Sequence, residues 1–102
     1  MNELLRNTSD EDTMIHKKLK IVNNLGLHAR AAAKLVNLAS RYSCKVEIVY
    51  NNKRIDSKSI LSVMTLGATQ GKEIDVIVDG QDEKEAINAI EELIKQRFGE
   101  KE

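Results

Sequence analysis

Residues 23–40 read NNLGLHARAAAKLVNLAS, and this stretch decides the architecture. Its first four residues, Asn23-Asn24-Leu25-Gly26, are turn formers, glycine being free to adopt backbone angles closed to other residues. Ala32, Leu35, Val36 and Ala39 then recur at the spacing of one helical face, and the run of alanines carries high helix propensity. His28 therefore stands where a loop becomes a helix. A helix start exposes backbone N–H groups without intrahelical partners and carries a partial positive charge, so it attracts anions. Arg30, two residues on, adds a planar fork of donors suited to phosphoryl oxygens.

Outward from this stretch the hydrophobic period falls to two. Residues 16–23 (HKKLKIVN) place Leu19 and Ile21 on one face with Lys18, Lys20 and Val22 opposite, which predicts a half-buried strand. Lys45 to Tyr50 (KVEIVY) alternates again, and Asn51-Asn52 signals a tight turn into a short strand over Lys53 to Asp56. Ser59 to Leu66 reads as a short apolar helix closed by Gly67 or Gly71. Lys72 to Asp79 (KEIDVIVD) points Ile74, Val76 and Val78 inward, and Gly80 breaks the run. From Asp82 to about Phe98 a stripe of Ile87, Ile90, Leu93 and Ile94 predicts a last helix, opened by acidic residues and closed by Gly99. The order is β-α-β-β-α-β-α. Three amphipathic helices can cover one face of a small four-stranded sheet and leave the other to water, an α+β, split βαβ arrangement.

The domain is expected over residues 16–99, with residues 1–15 as an N-terminal tail lacking any sustained period and 100–102 as a short C-terminal tail. Met14 is a second candidate start, since patterning begins just after it, and His16 reads as a solvated residue at this junction. A length of 102 residues suits one core, and 41% apolar with 31% charged residues is an ordinary globular balance. Sixteen basic residues match sixteen acidic ones, and aromatics are few, which argues against nucleic-acid binding. Cys44 is the only cysteine, so an internal disulfide and a Cys-rich metal site are excluded; it is expected to be partly buried. The acidic, polar start carries no signal-peptide core and no apolar run could span a bilayer, so a cytoplasmic protein without membrane contact is expected. No carboxylate pair, metal-ligand cluster, Walker loop or nucleophile elbow is visible, so neither an independent enzyme nor a metal or cofactor is expected.

NNLGLHARAAAKLVNLAS resembles the signature of the HPr family, the histidine-containing phosphocarriers of the bacterial phosphotransferase system. KSILSVMTLGATQGKEIDVIVDG (residues 58–80) resembles that family's regulatory-serine segment and last strand, and DEKEAINAIEELI (residues 82–94) is similar to its final helix. The resemblance covers roughly residues 16–98 in consistent order. It implies an open-faced sandwich with an antiparallel sheet under three helices. It further implies that His28 takes a phosphoryl group on Nδ1 from enzyme I, itself charged by phosphoenolpyruvate, and passes it to sugar-specific transfer subunits. Arg30 corresponds to the active-centre arginine, and Ser59 to the serine modified by an ATP-dependent kinase, with a catabolite-control regulator as a further partner. A docking surface near His28 would comprise Leu27, Ala33, Ile60, Leu61 and Met64, rimmed by Arg30, Lys34 and Arg41, on a monomer. The family usually has proline after the arginine where this chain has Ala31, and commonly glycine where it has Ser62. The alternative reading is a regulatory protein on the same scaffold, in a carbon-catabolite or nitrogen-type branch, acting by phosphorylation-dependent protein binding.

Overall fold

The alternating segments pair into one antiparallel sheet. A computed structural model of the chain describes residues 14–102. Strands β1 (Ile15–Lys20), β2 (Lys45–Tyr50), β3 (Lys53–Asp56) and β4 (Glu73–Asp79) lie in the order β1-β4-β2-β3. Helices α1 (Ala29–Ala39), α2 (Ile60–Met64) and α3 (Glu83–Lys95) complete the expected β-α-β-β-α-β-α order. Most of the stretch read as an N-terminal tail, residues 1–13, lies outside the described residues; Ile15, its last, opens β1.

The register explains why helices cover a single face. Ile74, Val76 and Val78 of the central strand β4 are aligned with Leu19 and Ile15 on one side and with Ile48 and Val46 on the other. All of these except the half-buried Ile15 belong to the core. Onto this apolar surface α1 lays Ala31, Ala32, Leu35 and Ala39, and α3 lays Ala86, Ile87, Ile90 and Ile94. Ile21 lies just beyond β1 yet is fully buried, tied to the loop before β4 by backbone bonds with Gly71 and Lys72. The opposite face carries charge. Asp75 accepts from His16 (2.9 Å) and lies 3.2 Å from the Lys18 ammonium, while Glu47 pairs with Arg54 at 3.0 Å.

Lys17 breaks the alternation. It occupies the helix side of β1, and its ammonium reaches Glu91 of α3 at 2.8 Å. This pair is the main reason that the Glu91 carboxyl is held below its ordinary range. Lysine can stand there because its stem packs as an apolar chain while its head reaches a carboxylate at the rim. Between β2 and β3, Asn51 and Asn52 both take positive φ (53° and 67°), the requirement of a tight hairpin turn whose twist matches its strands.

The last helix covers its whole apolar stripe but ends before Phe98, the bound expected from the sequence. α3 stops at Lys95, and Arg97 and Phe98 take left-handed angles (φ 58° and 55°) in a short turn before Gly99. Two such residues cost roughly 1–2 kcal/mol each. The turn drives the Phe98 ring fully into the core, and the Lys34 ammonium of α1 donates to the Phe98 carbonyl at 2.6 Å. Burial of an aromatic ring offsets the backbone cost. Phe98→Ala is expected to lower unfolding stability by about 3–5 kcal/mol in urea titrations; a loss below about 1 kcal/mol would show that the ring does not anchor the C-terminal segment.

Candidate functional site

Gly26 fixes how the chain enters α1. Its φ is +67°, and a Cβ at this position would lie 2.6 Å from the Ala68 carbonyl oxygen and 2.9 Å from the Thr69 Cα. The close approach lets the Leu27 N–H donate to the Ala68 carbonyl at 3.0 Å, so the loop before α1 is stitched to the one after α2. Leu27 turns into the core and is 4% exposed, so of the expected docking residues it backs the loop from inside.

His28 is the N-cap residue of α1, with extended backbone angles and no side-chain capping bond; its carbonyl accepts from Ala32 at 2.8 Å. The cap position is thus filled by a residue whose ring is not spent on capping. By helix geometry the N–H groups of the first turn, Ala29 to Ala31, have no partner inside the helix. Ala31 is wholly buried against the sheet, while Arg30 is exposed and makes no ion pair among the described residues.

The ring instead meets the C-terminus. His28 Nε2 is hydrogen-bonded to Glu100 Oε2, and both side chains are largely shielded, 25% and 12% exposed. The other carboxylate oxygen of Glu100 accepts from Asn23 Nδ2 at 3.0 Å, and the same amide group donates to the Gly26 carbonyl at 2.9 Å. Asn24 adds a backbone bond to the Glu102 carbonyl and a side-chain bond to its carboxylate at 3.0 Å. Residues 100–102 therefore lie along the loop before α1, and with Asn24, Leu25 and Arg30 they frame an open depression of about 340 Å³. Hydrogen bonding from Asn23 first, then from His28, with the nearby charges of His28 and Arg30, holds the Glu100 carboxyl below the ordinary glutamate value.

Sequence reading located His28 and Arg30 but not Glu100 or Asn23, whose contacts with each other and with the ring span more than 70 positions of chain. The only sequence sign was an acidic tail after Gly99. Ser59 caps α2 as expected, its Oγ accepting from Ser62 N–H at 3.4 Å. α2 packs beside α1. Ile60, Leu61 and Met64 are exposed, Leu61 most at 73%, and Ala33 is half-buried. Leu25, which the sequence reading did not single out, adds an exposed side chain at the loop. Among the described residues there is no cluster of potential metal ligands and no helix long and apolar enough to cross a membrane.

A family model described as the PTS HPr component phosphorylation site matches residues 15–96. The chain is 45% identical to the phosphocarrier protein HPr of Cupriavidus necator over 89 residues, which is 87% of this chain and all of that protein. It is 48% identical to the phosphocarrier protein HPr of Pseudomonas aeruginosa over 86 residues, covering 83% of this chain and 96% of the relative. The crystal structure of an HPr from Thermoanaerobacter tengcongensis superimposes with a TM-score of 0.83 at 40% identity, covering 86% of this chain and 99% of the other. An open-faced sandwich whose first helix begins at a histidine is the architecture of the small phosphocarriers of the phosphotransferase system. The chain belongs to the HPr family.

The depressed carboxyl of Glu100 gives the site an acid limit. A group whose folded-state value lies below its unfolded one stabilises the fold above the unfolded value, and the benefit fades as pH falls through the folded value. Titration of the Glu100 side-chain carboxyl by NMR is expected to give a midpoint below 4.5, with the Asn23 side-chain amide signals shifting at the same pH. A midpoint at or above 4.5, or Asn23 signals indifferent to it, would detach Glu100 from the loop.

Proposed function

We propose that this chain carries phosphoryl groups on His28, accepting them from enzyme I of the phosphotransferase system and passing them to sugar-specific transfer subunits in the cytoplasm. The observation that carries this reading is the position of His28. It begins an 11-residue helix without capping it, beside an exposed arginine, in a chain matched to the phosphocarrier family over residues 15–96. Free first-turn N–H groups and the Arg30 guanidinium are suited to the oxygens of a phosphoryl group arriving at the ring. The chain is a transfer intermediate rather than an independent enzyme, and its working unit extends the expected residues 16–99 by Ile15, which opens β1, and by Glu100, which meets the His28 ring. Exposed Ile60, Leu61 and Met64 on α2, with half-buried Ala33 on the neighbouring α1, offer apolar area for brief docking, and Arg30, Lys34 and Arg41 offer charge complementary to acidic partners. Incubation with enzyme I and phosphoenolpyruvate should yield an acid-labile phosphoprotein, detected by mass spectrometry without acid exposure. His28→Ala should abolish it with an unchanged far-UV spectrum, and equal yield in the variant would refute the assignment.

Ser59 is the second site of this reading, a target for a serine kinase whose modification alters docking and recruits a catabolite-control regulator. Ser59 caps α2 next to the exposed apolar side chains, so a charge placed there meets any partner that covers them. Ser59→Asp retains a capping acceptor, so the fold should persist while transfer from enzyme I slows about tenfold. Ser59→Ala should lose about 0.5–2 kcal/mol of stability through the missing cap and transfer at the parent rate. Equal rates for Ser59→Asp and the parent would leave Ser59 as a cap alone.

A further inference from the structure

The His28 ring has two nitrogens, and the structure distinguishes them. Nε2 is engaged by Glu100, whereas Nδ1 has no hydrogen-bond partner among the described residues. An ionised carboxylate can only accept, so Nε2 must be the donor and must carry the ring hydrogen. In the neutral ring the lone pair is then on Nδ1. Glu100 is itself held: Asn23, fully buried, donates to its second oxygen and ties it to the Gly26 carbonyl, while the left-handed turn at Arg97 and Phe98 sets the path of the segment. The carboxylate is therefore a built part of the site.

We infer that Glu100 is a positioning residue for phosphoryl transfer, fixing the Nε2–H form of His28 and compensating the charge that the ring acquires when Nδ1 bonds to phosphorus. The inference rests on the reading of His28 as the acceptor. In the transfer step the Nδ1 lone pair forms the N–P bond while the bond from phosphorus to the donor breaks, its electron pair remaining with the donor. No proton leaves His28, because Nε2 keeps its hydrogen, so the ring passes from neutral to cationic as the phosphoryl group arrives. A carboxylate hydrogen-bonded to Nε2–H strengthens its contact as that charge develops. Repulsion between Glu100 and the phosphoryl oxygens opposes this. It acts from across the ring, since the two nitrogens lie on opposite sides of Cε1, and Arg30 adds positive charge near the carboxylate. The direct contact with Nε2 is the larger effect.

Glu100→Gln in the full chain separates charge from shape, because the amide oxygen can still accept from Asn23. Three measurements decide the matter: the ring 15N shifts of His28 in the unphosphorylated protein, the rate of loading by phosphoramidate, and the equilibrium partition of phosphate with enzyme I. Phosphoramidate needs no docking surface, so it reads the ring chemistry alone. Glu100→Gln is expected to bring the two ring shifts closer together, and to reduce both the loading rate and the equilibrium fraction on the carrier about tenfold, with an unchanged far-UV spectrum. Parent-like shifts, rate and partition would overturn the inference while leaving His28 as acceptor. Faster loading of the variant would also overturn it, by making the carboxylate a brake. A parent chain that gains no phosphohistidine would overturn the acceptor reading and this inference together.

Discussion

Only one face of this sheet carries the core, and most of the molecule follows from that constraint. Ile74, Val76 and Val78 of the central strand, with their neighbours on β1 and β2, present a surface that must be removed from water, while the opposite face carries the ion pairs of Asp75 and Glu47. All three helices are therefore recruited to the same side. α1 seats its alanine-rich stripe on the sheet from Ala31 onward, so its first residue falls at the edge of the layer. His28 is consequently held at the rim, one quarter exposed, where a partner can reach it with no need for a cleft. A carrier that must give up its load quickly is better served by such a rim than by a deep pocket.

Two kinds of linkage turn that rim into a defined site. The Gly26 approach to Ala68 and Thr69 sets the direction of the loop, and the buried amide of Asn23 joins that loop to Glu100. The second kind depends on the first, because Asn23 can reach both acceptors only with the loop folded back. The C-terminal segment is itself positioned by Phe98, whose ring is in the core. Packing energy collected at one end of the chain is thus used to orient a single imidazole near the other.

The architecture was legible because it depends on periodicity. Alternation in 72–79 and in 45–50 was enough for β4 and β2, and the stripe of Ile87, Ile90 and Ile94 was enough for α3. Asn51-Asn52 identified its turn because few side chains tolerate two consecutive positive φ angles. The place of Lys17 on the helix side of β1 has no sign in the local pattern, since its partner Glu91 lies on another element. Asp82 reads as a helix cap; it holds that position, but its carboxylate instead accepts from the backbone N–H groups of Ser43 and Cys44. Of the site, His28 and Arg30 were visible through a local rule about helix starts. Glu100 was hidden because three residues after a glycine have no pattern, and the reversal that brings them back relies on two non-glycine residues in left-handed conformations.

Asp82 has one more consequence. Its carboxylate lies against the start of β2, next to the fully buried Cys44, and burial together with this neighbour pushes the thiol up to about 11. Thiolate is the reactive form, so at neutral pH this sulfur is silent toward alkylating reagents and toward disulfide exchange with a second copy. That silence holds only while the start of β2 stays packed. The chain has no other thiol, so the slow uptake of an iodoacetamide label would act as an internal clock, each event marking a moment when the packing around the start of β2 had come apart.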